Sequence, residues 1–576
     1  MTIFSRLLLL PLAAFAGLSL AACASTAPDG LRAGETVAGG ESDASVYGLF
    51  LAGRAAWNSG QGEAASDYLA RASRARPDAA FLKERAFSAA LVAGDIHRAA
   101  ELAPGADDAS LSMQRLGRLT VAVDDIALGK GREAEALLSG EPLGPPHRAA
   151  GVLLRSWAAA QAGDWKTALT PPDARGDRLI TEVSQLNLAL LYERNHRYGD
   201  ADAAFRKLMA DGDAANLYTA AYGEFLERRG RKADAAALYD AALKGDSPSH
   251  TVQLARARVA AGQTPPAAPT IPQGAAQALL APAALFLAEK QPEPALAYLR
   301  LVLRLDPQRD EAWLLVGDAL AGSGDANSAR DAYAHPKPGS PDYVGARARL
   351  IDTYQNTSDH ELVLKLAQET VAGAPGDDDA LELLADALRN DEHYQESAGV
   401  LDTVIAHRGD KASWDLYYMR GVSLEQGGHW PEAERDLEKA LALKPDDPDV
   451  LNYLGYSWVD RGEQVKEGKA MIEQALALKP DSGAMIDSLG WAYFKLGDYQ
   501  HAVEQLERAA ELEAADPEIN DHLGDAYFRA GRRVEAKFQW DLVLTLNPTP
   551  KLRAAVAAKL RNGRPGPDTA TIAAAH

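Results

Sequence analysis

The stretch DSLGWAYFKLGDYQHA, residues 487–502, sets an apolar stripe, a glycine, a tryptophan and a second glycine in one short helical pattern. The pattern recurs on both sides. Aligned on glycine, the chain reads YYMRGVSLEQGG from Tyr417, LNYLGYSWVDRG from Leu451, MIDSLGWAYFKLG from Met485 and INDHLGDAYFRAG from Ile519. Gly421, Gly455, Gly490 and Gly524 are spaced by 34, 35 and 34 residues. Each is followed by a small residue in a second helical segment, Ala433, Gly468, Ala502 and Ala536. Pro445, Pro480 and Pro548 close three of the units. A period near 34 with two small positions predicts antiparallel helix pairs stacked in an array, because small residues let paired helices approach closely. Proline cannot continue a helix and marks the turn into the next unit.

This pattern resembles the tetratricopeptide repeat (TPR), with Leu489, Gly490, Tyr493, Ala502 and Ala509 at matching positions. Ala514 stands where that family usually has proline. The register continues toward the N-terminus through Gly53, Ala65, Ala72 and Pro77, and through Gly223, Ala235 and Ala242. It is degenerate over 105–180 and 334–375. The resemblance implies an all-α fold, an α-solenoid with a right-handed superhelix of about 12–14 helix-turn-helix units. A break at 262–274, GQTPPAAPTIPQG, has four prolines and reads either as a separator of two superhelical segments or as a long loop between repeats. The expected organisation is a signal peptide over 1–22, a modified cysteine and tether over 23–45, and an N-terminal array over 46–247. A proline-rich break over 248–275, a C-terminal array over 276–548, and a capping helix with a frayed tail over 549–576 follow.

The N-terminus carries Arg6, an apolar run from Leu7 to Ala22, and Cys23, the one cysteine of the 576-residue chain. The run is shorter than the roughly 20 residues that span a bilayer, so it reads as a secretory signal. Leu20-Ala21-Ala22-Cys23 resembles the lipobox of bacterial lipoproteins. That resemblance implies lipidation at Cys23, a membrane anchor, and, with Ala24 following, a place on the periplasmic face of the outer membrane. Residues 24–45 are small, polar and glycine-rich and read as a flexible tether. A single cysteine excludes a disulfide framework. The net charge of −21 argues against phosphate backbones as ligands, so no nucleic-acid partner is expected.

Motifs that carry chemistry are few in this chain. No P-loop, GxSxG elbow or HExxH pattern is present, and the twelve histidines are scattered. His360-Glu361 lacks the second histidine that a zinc pair requires. The acidic run GDDDA at 376–380 reads as a helix N-cap, since carboxylates there satisfy free backbone donors. No catalytic residue, cofactor or metal is expected, and function is assigned to surface. An enzyme hidden in 105–180 would require that region to fold as something other than helix pairs.

At about 100° per residue, one stripe of each first helix packs and a second lies roughly opposite. In the family this second stripe lines the concave groove. Carried onto this chain, it contains Tyr418, Asn452, Tyr456, Asp487, Trp491, Phe494, Lys495, Asp521, Asp525 and Phe528. These are the candidate partner contacts. On this reading Trp491 faces away from the packing stripe, and Trp491→Ala leaves the fold intact while weakening partner capture. The alternative is that successive first helices pack these rings against one another. Residues 414–545, behind a lipobox and a long degenerate array, resemble the TPR lipoproteins that serve as adaptors of periplasmic C-terminal processing proteases. The resemblance implies protein partners, a processing protease and its cell-wall hydrolase substrates. An assembly factor for outer-membrane export of protein or polysaccharide would share the anchor and repeats.

Overall fold

The computed structural model describes residues 45–105, 109–140, 143–210, 215–244, 249–354 and 359–563. The expected signal peptide, Cys23, the tether up to 44 and the tail from 564 lie outside these residues. Thirty α-helices and no strand occur among the described residues. Twenty-six of them form thirteen antiparallel pairs, eight in a unit ending at Asn356 and five in a unit starting at Thr357.

The repeating glycine has a specific neighbour. A Cβ at Gly490 would stand 2.6 Å from Leu506, and one at Gly223 would stand 2.2 Å from the Tyr239 ring. Gly53 with Leu69, Gly317 with Tyr333, Gly421 with Leu437 and Gly524 with Trp540 repeat the relation at the same spacing. The glycine therefore makes room for a large side chain of the second helix, while Ala65, Ala235, Ala433, Ala502 and Ala536 are fully buried beside it. Gly455 differs, because it meets the backbone of Gly468. Asp377 caps Asp378–Asn390 by accepting from the Ala380 amide at 3.0 Å, as the acidic run predicted.

In the second unit the pairs are Asp378–Asn390 with Tyr394–Arg408, Trp414–Gln426 with Trp430–Leu443, and Pro448–Arg461 with Val465–Leu478. Gly483–Lys495 with Tyr499–Leu512 and Pro517–Arg529 with Arg533–Val543 complete the set, and Pro550–Asn562 packs on the last.

In the first unit, the described residues between 105 and 180 fold as helix pairs whose second members, Gly131–Ser139 and Trp165–Ala168, are short. This truncation explains the degenerate repeat signal. The proline-rich stretch does not separate the compact units, which divide between Asn356 and Thr357. It is held on the array, with Arg194 donating to the Pro269 carbonyl at 2.6 Å and Arg228 to that of Pro266 at 3.1 Å. It delivers the helix Ile271–Ala288, opened by a Thr270/Gln273 capping box, onto the helices Arg148–Ala162 and Arg178–Arg194. Pro292–Leu305 continues this return against Leu111–Ala127 and Ala80–Ala93. Three hydrogen bonds tie the return: His147 Nδ1 with the Tyr298 hydroxyl at 2.8 Å, Arg304 to Asp124 at 2.8 Å, and Arg300 to the Val92 carbonyl at 3.0 Å. Ile271–Ala288 is long and apolar enough to cross a bilayer, yet it is largely buried in the fold. The chain on both sides of the prolines thus shares one core, which is why the break is no boundary.

Candidate partner-binding surface

The helices Trp414–Gln426, Pro448–Arg461, Gly483–Lys495 and Pro517–Arg529 each begin at the first position of a repeat, so their second, fifth, ninth, twelfth and thirteenth positions form the second stripe. Tyr418, Asn452, Tyr456, Lys495 and Phe528 are half-buried there. The Tyr418 ring meets Tyr453 edge-on at 5.8 Å, and burial pushes its hydroxyl up to about 12. The Oδ1 of Asn452 is buried and has no hydrogen-bond partner, an uncompensated cost in the isolated chain.

The other five candidates are not displayed. Trp491 is 8 % exposed and Phe494, Asp487, Asp521 and Asp525 are buried with it. The indole stacks on Phe494 at 4.6 Å and on His522 of the next first helix at 4.1 Å. Its Nε1 donates to Asp460 of the preceding first helix at 3.0 Å, and Lys495 donates to the Asp460 carbonyl at 2.8 Å. The expectation that Trp491 faces outward is therefore corrected. The stripe opposite the helix partner lies against the first helices on either side, because consecutive first helices are in contact. An indole is large enough to reach both.

The buried acids are matched by cations that sequence reasoning missed. His522 Nδ1 donates to both Asp487 oxygens at 3.0 Å. Lys559, from Pro550–Asn562, donates to Asp521 and Asp525 at 2.8 Å, and Trp540 Nε1 donates to Asp525 at 3.0 Å. Burial pushes the Asp525 carboxyl up and Asp521 adds to this, while Lys559 opposes. Burial disfavours the His522 imidazolium, but the Asp487 and Asp521 carboxylates outweigh it and raise the group to about 9.

A titration consequence follows. The folded value lies above the ordinary histidine value near 6.5, so this proton stabilises the fold fully below about pH 6.5 and the contribution is lost as pH rises through about 9. The loss is expected to be roughly 2–3 kcal/mol in the second unit. Urea unfolding followed between these pH values checks it, and His522→Gln should remove most of the slope. A slope unchanged in the variant would assign the effect to other groups.

Two further stripe residues were missed in a repeat that lacks glycine. Ala385 occupies the glycine position, with Ser397 donating to its carbonyl at 2.8 Å, which places Glu382 and Asp386 at the fifth and ninth positions. Burial pushes the Glu382 carboxyl up to about 7 against the opposing Arg408 guanidinium, and burial raises Asp386 against Arg389. The stripe thus carries acids at both ends and Tyr418, Asn452 and Tyr456 between them. Among the described residues, no group of three or more His, Cys, Asp or Glu is gathered to hold a metal.

Tetratricopeptide repeat models match residues 272–546 and 186–250. The sequence has no match among curated proteins. Similar solved structures include the APC/C hetero-tetramer Cut9-Hcn1, at 15% identity over 89% of this chain and 95% of that one, with a TM-score of 0.38. A tetratricopeptide repeat protein from Parabacteroides merdae is 14% identical over 44% of this chain and 99% of that one, with a TM-score of 0.38. MamA from Desulfovibrio magneticus is 20% identical over 30% and 97%, with a TM-score of 0.26. From the family matches and the recurring glycine contacts, the chain belongs to the tetratricopeptide repeat family.

Proposed function

We propose that this protein is a non-catalytic adaptor of the bacterial envelope, lipid-anchored through Cys23 to the periplasmic face of the outer membrane. It brings a C-terminal processing protease to peptidoglycan hydrolase substrates. Tetratricopeptide repeat proteins bind protein partners. The observation that carries the finer reading is the run from 414 to 545 behind the Leu20–Cys23 lipobox, which resembles such adaptors. The half-buried row Tyr418, Asn452 and Tyr456, two aromatic rings about an amide on one stripe, supports partner capture. Tethering enzyme and substrate to one scaffold makes their encounter intramolecular and raises effective concentration without new catalytic groups.

The test is affinity capture with the whole processed protein from envelope extract, followed by mass spectrometry. Co-enrichment of a periplasmic processing protease and a cell-wall hydrolase is the expected result. Tyr456→Ala should reduce that enrichment about tenfold, the scale of one well-packed interface aromatic. Recovery of an export assembly instead, or of neither enzyme class, overturns the adaptor reading.

A further inference from the structure

The first helix, Val46–Asn58, departs from what the end of a helical array needs. A terminal repeat has no preceding neighbour, so its outer face ordinarily carries polar residues. Here Tyr47 is 70 % exposed, Leu51 43 % and Trp57 41 %. At about 100° per residue these three, with Phe50 and Arg54, fall within an arc of roughly 120°. Leu49, Gly53 and Ala56 are buried on the opposite side. The next first helix extends the surface with Phe81, 59 % exposed, whose ring meets Phe50 edge-on at 5.9 Å. A continuous aromatic and aliphatic surface at one end of a chain of net charge −21 calls for an occupant.

Charge and position select that occupant. The helix VYGLFLAGRAAWN contains no carboxylate, and Arg54 is its one charged residue. Tyrosine and tryptophan beside a cation, on a helix otherwise apolar outside, match the chemistry of a lipid headgroup boundary. The 22 residues between Cys23 and Val46 cannot span more than about 75 Å. A lipid on Cys23 would hold this helix within that distance of the bilayer. That stretch offers only Leu31 and Val37 as large apolar cover.

We infer that the outer face of Val46–Asn58, with Phe81, is a membrane-docking surface that lays the first repeat on the lipid headgroups beside the anchor. The choice of lipid as occupant rests on the lipoprotein reading above. Lipidation supplies attachment, and this surface supplies orientation: it sets how the first repeat meets the bilayer.

The test separates the two claims. The whole processed chain carrying Cys23→Ser, and therefore unlipidated, is floated with vesicles of phosphatidylethanolamine and a minor share of phosphatidylglycerol. It should co-float. Tyr47→Ser with Leu51→Ser, Trp57→Ser and Phe81→Ser should lower vesicle partition at least about tenfold, since each removes apolar contact area from the boundary. Arg54→Glu, at an exposed position, should lower it further at low salt than at high salt. Thermal unfolding followed by circular dichroism should leave the Arg54→Glu variant at the parent midpoint. No co-flotation by the parent, partition indifferent to these changes, or a dimer in sedimentation that the serine changes disperse would each overturn the inference. Acyl labelling of the unsubstituted protein is the separate arm: label without vesicle binding by the unlipidated chain removes the docking surface alone. Vesicle binding without label removes the anchor and leaves the surface standing.

Discussion

Trp491→Ala is expected to lower the stability of the second unit by about 3–5 kcal/mol, the cost typical of deleting a buried tryptophan. Three losses combine. The indole leaves a void between Phe494 and His522, on which it stacks from both sides. Asp460 loses the Nε1 donor at 3.0 Å. His522 loses the ring beside the imidazolium that Asp487 holds. Chemical unfolding of the full chain, read by circular dichroism with Trp491→Phe alongside, checks this. The phenylalanine variant keeps most of the stack and should recover a large part of the loss. A Trp491→Ala protein as stable as the parent would return the indole to the role of a displayed contact. Because the side chain joins three successive first helices, the effect should spread over the last three repeats.

Gly274→Val is expected to destabilise the first unit by about 3 kcal/mol, at the upper end of overpacking costs. A Cβ at this position would stand 2.0 Å from the Trp157 ring, and that ring is fully buried. Neither side can retreat: the indole sits inside Arg148–Ala162, and the glycine lies in the first turns of Ile271–Ala288. Rescue distinguishes this contact from general strain. Trp157→Leu shortens the opposing side chain, so the double variant should be more stable than the sum of the two single effects, a coupling that a double-mutant cycle measures. Additive effects would mean that Ile271–Ala288 does not rest on Trp157 in solution.

The helix pairs were legible in the chain because their cause is local and periodic. Gly421, Gly455, Gly490 and Gly524 recur at the spacing of one hairpin, and each must clear a side chain or backbone of its own second helix. Asp377 as a cap was readable for the same reason, since its partner is three residues away. The stripe opposite the packing face was found, but its exposure was not. Hydrophobic period reports the direction of a side chain around its own helix. Whether a neighbouring first helix covers it depends on the spacing of repeats, to which period is blind. Trp491, Phe494, Asp487, Asp521 and Asp525 were misjudged on that account, while Tyr418, Asn452 and Tyr456 stayed half-buried. Glu382 and Asp386 were not among the candidates, although a unit could be placed at Leu381 and Ala385, because the stripe was carried only onto the four repeats that begin at Trp414, Pro448, Gly483 and Pro517.

The sequence by itself determined the all-helical repeat, its hairpin packing and the family, because these rest on contacts within about 34 residues. The tertiary structure alone decided which charges meet and where the chain turns back. Lys559 reaches Asp521 and Asp525 across 38 and 34 positions, and Arg304 reaches Asp124 across 180. The proline-rich stretch reads equally as a separator or as a long loop until Ile271–Ala288 is seen packed on Arg148–Ala162 and Arg178–Arg194. Such pairings carry no periodic mark, since they arise from the path of the whole array in space and are stabilised by burial that no single repeat contains.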